Sequence, residues 1–362
     1  MRAVLMGRPL SLYVGVRMDD SGCMDDTDGH QIEERETPRP RRRWVTKGAW
    51  VAALLCFFVC ASWVVSGGVY VLDVAVGFLW VVVLGSAVVG LVLFGLKRWG
   101  AGLVCALGVG IGVWPLVAGR PMVVERGEIG DVVVTVGSLN MYPRNKSWRD
   151  DLDVLMRLGL DVVVIQEIPT EMNRVVSTEG YLDDTAMPYW VKRRWRRERV
   201  SPGLIVSRYP IELIETAADD VMAEHQLMCV VDHPDKRFVV GLMHPLSPRS
   251  RDRWEAGNLA VESHCGQIAR AMEMTGLPVI LGVDLNAGAA QVRGRSMRSA
   301  GLHASKPIWP IRSGSFPADK GSVVRLQLDD VWRSEGVGVE SWEMVDGGGS
   351  DHRGVVVRLI LD

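Results

Sequence analysis

Six short polar signatures in the later part of this 362-residue sequence carry side chains able to do chemistry. They are Asn140, Gln166-Glu167, His244, Asp284-Leu285-Asn286, Asp329-Asp330 and Ser350-Asp351-His352. Carboxylates and amides with no thiolates among them suit a hard cation such as Mg²⁺, Mn²⁺ or Ca²⁺. Glu167 is the best candidate ligand, with Asn140 beside it. A cation held there would polarise a phosphoryl oxygen and stabilise charge on a leaving oxygen. His352, next to a carboxylate, can be held in one tautomer and made basic enough to activate water, with Asp329 as its candidate orienter. Asp284 could instead position the nucleophilic water, with Asn286 binding the phosphate. His244 could donate a hydrogen bond or a proton to the phosphate. His30, His225, His233, His264 and His303 have no such acidic context and stay unassigned.

Singly, each signature has a plainer reading as a solvated strand end, a turn or a helix cap. Their placement is what argues for function. Short β-branched runs recur at 132–136, 162–165, 204–206, 237–242, 279–281 and 355–360, with helix-like stretches at 148–158 and 254–274. Strands interleaved with helices suggest a layered α/β protein whose sheets are covered by helices. Asn140, Gln166-Glu167, His244 and Asp284-Leu285-Asn286 each follow a strand. Residues 326–328 lead as a strand into Asp329, and Ser350-Asp351-His352 precedes the final strand. That arrangement gathers the polar groups along one edge of a sheet core, where α/β active sites form.

In this order the motifs resemble the endonuclease/exonuclease/phosphatase superfamily (DNase I-, exonuclease III- and sphingomyelinase-like), over essentially all of residues 132–362. The resemblance implies a four-layered α/β sandwich of two packed, mostly antiparallel sheets flanked by helices, and metal-dependent cleavage of phosphate esters. It places Asn140 and Glu167 at the metal, and Asp284 with Asn286 at the phosphate and water. His352, oriented by Asp329, is base or phosphate stabiliser, and Asp351 and His244 complete the site. Two departures stand out. One residue lies between Gly282 and Asp284 where the family has none, which could make a small bulge but keeps the Asp284-Leu285-Asn286 pair intact. His244 is followed by Pro245, a form that, together with the preceding apolar runs, resembles a membrane-anchored bacterial branch.

The composition divides the chain. Lys+Arg 41 against Asp+Glu 43 leaves a formal charge of −2, which argues against a protein that coats polyanions. Yet residues 49–119 hold only Asp73, Lys97 and Arg98 as charges. Three uncharged runs, 49–72, 74–96 and 99–119, approach or exceed the ~20 residues that span a bilayer core of ~30 Å. A wholly cytosolic enzyme is therefore excluded. Arg39, Arg41, Arg42, Arg43 and Lys47 precede the first run, and Lys97-Arg98 separates the second from the third. The positive-inside rule makes both sites cytoplasmic and puts everything after the third crossing outside. The expected organisation is a disordered cytoplasmic tail (1–47), three transmembrane helices (48–119), a linker (120–130) and a catalytic domain (131–362). The start of the chain is not a convincing signal peptide, and Met18 or Met24 are alternative starts.

The expected protein is a multi-pass membrane phosphoesterase, nuclease-like, with an extracytoplasmic catalytic domain. Its partners would be a phosphate-ester substrate (nucleic acid, phospholipid or small phosphoester) and the lipid bilayer; no protein partner is implied. Residues 192–199, KRRWRRER, could hold phosphates or touch anionic headgroups, or be a solvated basic surface. Cys229 and Cys265 are either a disulfide or two buried thiols. The alternatives are a non-catalytic binding module on the same fold and a transporter. The apolar runs offer a transporter only Asp73 as a charged group.

Overall fold

The structure is a computed structural model that describes residues 40–121, 131–192, 203–214, 226–308, 314–322, 324–346 and 348–361. Most of the expected tail and linker, and the basic cluster beyond Lys192, lie outside these residues. The stretch up to Trp44 is a separate unit, and Val45 onward forms the other.

The apolar region contains α1 (Pro40–Ala61), α2 (Tyr70–Val76), α3 (Leu79–Gly95) and α4 (Trp99–Val117). Helix α1 thus begins inside the stretch expected to be a disordered tail. By length and composition, Trp44–Val64 and Trp99–Val117 can each cross a membrane, while α2 and α3 form a third candidate bent by 70°. Three uninterrupted spans are therefore not what forms. The expected first span stops at Ala61, and Ser62–Val64 and Ser66–Gly68 are 3₁₀ turns. Ser66, Gly67 and Gly68 favour neither helix interior nor continuation, and Gly77 lies at the second break.

Beyond residue 131 the strands are β1 (Val132–Asn140), β2 (Val162–Gln166), β3 (Tyr189–Lys192), β4 (Leu204–Ser207), β5 (Ile211–Leu213) and β6 (Gln226–Val231). They continue with β7 (Phe238–Met243), β8 (Val279–Asp284), β9 (Leu302–Ala304), β10 (Asp329–Ser334), β11 (Val337–Asp346) and β12 (Arg353–Leu361). Helices α5 (Trp148–Arg157) and α6 (Thr170–Thr178) follow β1 and β2, and α7 (Arg251–Thr275) and α8 (Val292–Ser299) flank β8. One sheet runs β11-β12-β1-β2-β4-β3 and the other β5-β6-β7-β8-β10-β9. Each contains one parallel pair, β1/β2 or β7/β8, and is otherwise antiparallel.

Strand alternation builds the layers. On β2, Val162 and Val164 enter the core between the sheets, whereas Val163 and Ile165 pack under α5 and α6 with Leu152, Leu155 and Met172. On the other sheet, Val240 and Ile280 face the intersheet core, and Val239, Val279 and Leu281 pack against Val261 and Ile268 of α7. The result is the four-layered α/β sandwich. A Cβ on Gly282 would meet Val164 Cβ at 2.5 Å, so this glycine lets the two sheets approach. Strand β8 pairs in unbroken register with β10, Asp284 opposite Asp329 and Gly282 opposite Val331. The bulge expected there is absent, because the additional residue simply lengthens the strand.

Cys229 of β6 lies in the intersheet core and Cys265 on the buried side of α7, which packs against the other face of that sheet, and both are free thiols. That separation rules out the disulfide. Burial pushes each thiol up to about 12, which suppresses the thiolate.

The apolar helices are fastened to the sandwich. The Asp73 carboxylate accepts from Trp254 Nε1 (2.9 Å) and from Val292 N at the start of α8 (2.9 Å), while Gln291 Nε2 donates to the Asp73 carbonyl (2.8 Å). Tyr70 Oη donates to the Pro248 carbonyl (2.9 Å), and Arg295 Nη1 to that of Trp63 (2.8 Å). The lone acidic residue of the apolar region is thus a docking group, 1% exposed.

Candidate active site

Parallel pairing puts the C-terminal ends of β1 and β2 together, and likewise those of β7 and β8. Strands β10 and β12 run antiparallel to β8 and β1, so it is their starts that reach the same edge. Asp329 accordingly opens β10, rather than following a strand at 326–328 as the sequence pattern suggested. With His352 just before β12, six strand termini deliver polar groups to one place.

Asn140 ends β1 and its Nδ2 donates to Asp284 Oδ2 across 2.9 Å, joining the two sheets. Asp284 ends β8, and its Oδ1 accepts from Asn286 N (2.8 Å). Asn286 Nδ2 donates in turn to the Pro245 carbonyl (3.1 Å), tying the β8 end to the β7 end. Glu167, directly after β2, has φ 52° and Asn286 has φ 49°. Asparagine tolerates this left-handed region, whereas a glutamate there costs about 1–2 kcal/mol. Such strain collects at functional sites.

Two histidines pair with carboxylates. His244 Nε2 stands 3.1 Å from Glu167 Oε1 and 3.6 Å from Asp284 Oδ2, an ion-pair separation without hydrogen-bond alignment. Burial lowers the His244 pKa, but Glu167 and Asp284 outweigh it and the net shift is upward. Burial raises Glu167, and His244 and His352 turn that into a net lowering. His352 Nδ1 donates to Asp329 Oδ2 at 2.7 Å. Burial again opposes the imidazolium, yet Asp329 and Asp284 lift it to about 10. Burial raises Asp329, with His352 opposing. Asp351 is half-exposed, its pKa raised by burial and, more weakly, by Glu167.

Supporting groups escaped the sequence reading. Ser315 Oγ accepts from the backbone N–H of Leu328 (3.1 Å) and Asp329 (3.2 Å), and the Phe316 ring packs 4.8 Å from that of His352. Ser350 Oγ donates to the Asn140 carbonyl (2.5 Å) and accepts from His352 N (3.0 Å). Asp151 of α5 accepts from Gly349 N (3.1 Å), anchoring the loop that carries His352. Only Ser350, inside a motif, left a signal; the others are far from the motifs in sequence or are ordinary turn residues.

The donor set fits a hard cation. The Glu167 carboxylate is 27% exposed, and Asp329 Oδ1 is buried with no hydrogen-bond partner among the described residues. Both domain thiols lie in the cores, away from this edge. Asp284, Asp329 and His352 also offer ligand atoms within 4.8 Å of one another. The Asn140 side chain is engaged at both ends, its Oδ1 accepting from Tyr142 N (3.0 Å) and its Nδ2 donating to Asp284, and the His352 Nδ1 proton is committed to Asp329.

No protein-family model and no curated protein matches the sequence. Solved structures do. An endonuclease/exonuclease/phosphatase from Beutenbergia cavernae DSM 12333 is 17% identical, with 63% of this chain and 72% of that one covered and a TM-score of 0.45. A family protein from Bacteroides thetaiotaomicron is 15% identical (64% and 99% covered, TM-score 0.46). The human Nocturnin catalytic domain with bound sulfate is 14% identical (64% and 97%, TM-score 0.46). The chain is thus similar in structure to proteins of the endonuclease/exonuclease/phosphatase family.

Proposed function

We propose that this chain is a membrane-anchored, cation-dependent phosphoric ester hydrolase. The observation that carries the reading is the convergence of Asn140, Glu167, His244, Asp284, Asp329 and His352 at one sheet edge, with Asp329 and His352 hydrogen-bonded at 2.7 Å. Residues 131–362 form the catalytic domain and 48–119 the anchor. Glu167 and Asn140 hold a divalent cation, Mg²⁺ by its oxygen donors, which when bound polarises a phosphoryl oxygen. His352, lifted to about 10, is an imidazolium at neutral pH and binds a phosphate oxygen with its Nε2–H. Asp284, held by Asn140 and the Asn286 amide, orients the attacking water, and Asn286 and His244 contact the phosphate.

The test uses the full chain in detergent, because Asp73, Tyr70 and Arg295 join anchor and domain. It should release p-nitrophenol from bis-p-nitrophenyl phosphate or p-nitrophenyl phosphate. EDTA should abolish the reaction and Mg²⁺ or Mn²⁺ restore it. Binding without turnover, or turnover indifferent to EDTA, would count for a non-catalytic or metal-free role.

The basic residues flanking α1 and α3 support an extracytoplasmic catalytic domain. A reporter fused after Asp362 that requires export should be active. If only a cytoplasm-restricted reporter works there, the orientation is inverted.

A further inference from the structure

A cavity of about 320 Å³ lies where α2, α3 and α4 meet the sandwich. On the helix side it is walled by Val76, Trp80, Val83, Val113, Leu116 and Val117. The opposite side is cationic, with Arg120, Lys306 and Arg325. Lys306 is only 2% exposed. Arg120 Nε and Arg325 Nε are out of solvent and have no hydrogen-bond partner among the described residues. Arg120 Nη2 and Lys306 Nζ donate to the same oxygen, Gln327 Oε1, at 2.7 and 3.2 Å.

The acid that accompanies Arg120 and Lys306 is Asp330. It accepts from Trp342 Nε1 (2.9 Å), and burial pushes it up to about 6. Among the described residues Arg120 and Lys306 share Asp330, and Arg325 interacts with the exposed Asp319. Two guanidinium Nε–H donors are nevertheless left unpaired out of solvent, which is expensive unless an anion joins them. Burial and Arg120 bring Lys306 down to about 7, with Asp330 opposing.

We infer that this cavity receives a membrane lipid bearing an anionic phosphate ester, with its apolar chain against α3 and α4 and its phosphate against Arg120, Lys306 and Arg325. An apolar wall made from helices able to lie in a bilayer is reached by a lipid chain directly, and a small soluble phosphoester has nothing to place there. The cavity also shares a wall with the catalytic edge. Leu328, which lines it, immediately precedes Asp329, and Gly288 lies two residues past Asn286. Those two segments are joined by Leu285 N donating to the Leu328 carbonyl (3.0 Å). Resting on the hydrolase reading for the fate of the bound lipid, the inference makes phosphate-ester lipids the substrate class.

The experiment is native mass spectrometry of the full chain in detergent with three probes: dioleoyl phosphatidate, dioleoylglycerol and inorganic phosphate. Phosphatidate should bind at least about tenfold more tightly than the other two. Leu116→Trp, which fills the apolar side, and Arg325→Gln, which removes one cation, should each weaken phosphatidate binding about tenfold or more. Equal binding of dioleoylglycerol, or phosphatidate binding indifferent to both variants, overturns the inference. Turnover of bis-p-nitrophenyl phosphate is followed in parallel. Soluble-ester turnover without phosphatidate binding overturns the lipid site and leaves the hydrolase. Phosphatidate binding sensitive to both variants, without turnover of any ester, supports the site and removes the hydrolase reading.

Discussion

Replacing His352 or Asp329 by alanine should lower phosphate-ester turnover at least ~100-fold each, the lower range for a positioned acid–base group. The double variant should be little worse than the poorer single one. The reason is the 2.7 Å hydrogen bond from His352 Nδ1 to Asp329 Oδ2, which fixes the tautomer, the ring orientation and the charge of the imidazole together. Removing either partner disables the same function, so the losses should be strongly non-additive. Asp329→Asn adds a charge-specific readout. The ring keeps a neighbour of the same shape, but the largest influence raising its pKa disappears, so the His352 pKa should fall from about 10. An alkaline limb of the pH–rate profile set by His352 should move to lower pH with it. The same shift fixes the sign of a stability effect. A histidine raised from 6.5 to about 10 on folding contributes fully below pH 6.5, and that contribution is lost as pH rises through about 10. Fully multiplicative losses, or an unmoved imidazole titration in Asp329→Asn, would show that the two residues act independently.

Glu167→Ala should remove nearly all activity together with its dependence on divalent ions. A cation contributes several kcal/mol of transition-state stabilisation, and each 1.36 kcal/mol is a factor of ten, so the loss should be at least ~100-fold. Neither domain cysteine lies at this edge, and the other acidic cluster there is that of Asp284 and Asp329 with His352. Asp284 is already engaged with Asn140 and the Asn286 amide, and Asp329 with His352. Loss of Glu167 should also lower the His244 pKa, since Glu167 is among the groups that raise it. That change, read by NMR titration, reports the local electrostatics without any turnover. Wild-type-like activity at limiting Mg²⁺ would remove Glu167 from the metal.

The reactive side chains could be read from the sequence because strand chemistry and strand ends are local. Short β-branched runs announced β1, β2, β4, β7, β8 and β12, and Asn140, Glu167, His244 and Asp284 lie at or within a residue of strand ends among them. Helices α5 and α7 were anticipated to within three residues of their ends. Strands β3, β5, β6, β9, β10 and β11 were not announced; β6 is wholly buried, but only Val230 and Val231 of it are β-branched. Asp329 was expected beyond a strand end and instead starts one. The direction of β10 depends on its pairing with β8, 45 residues earlier in register at Asp284, and no local pattern encodes that.

What the sequence by itself determined is therefore which polar groups stand at the strand ends, the layered α/β class and the apolar helical region. What the tertiary structure decided is who touches whom. Asn140 meets Asp284 across 144 residues, and Asp73 meets Trp254 across 181. The bend between α2 and α3, the unbroken β8 register at Gly282 and the separation of Cys229 from Cys265 likewise appear only when the sheets and helices are packed. So does the cationic cavity, whose walls come from the apolar helices and from loops some 200 residues away. The physical reason is common to all of them. Propensity and periodicity act over a turn or a strand, whereas a buried polar contact is set by which distant surfaces must meet to exclude water and by which partner then satisfies the charge left inside.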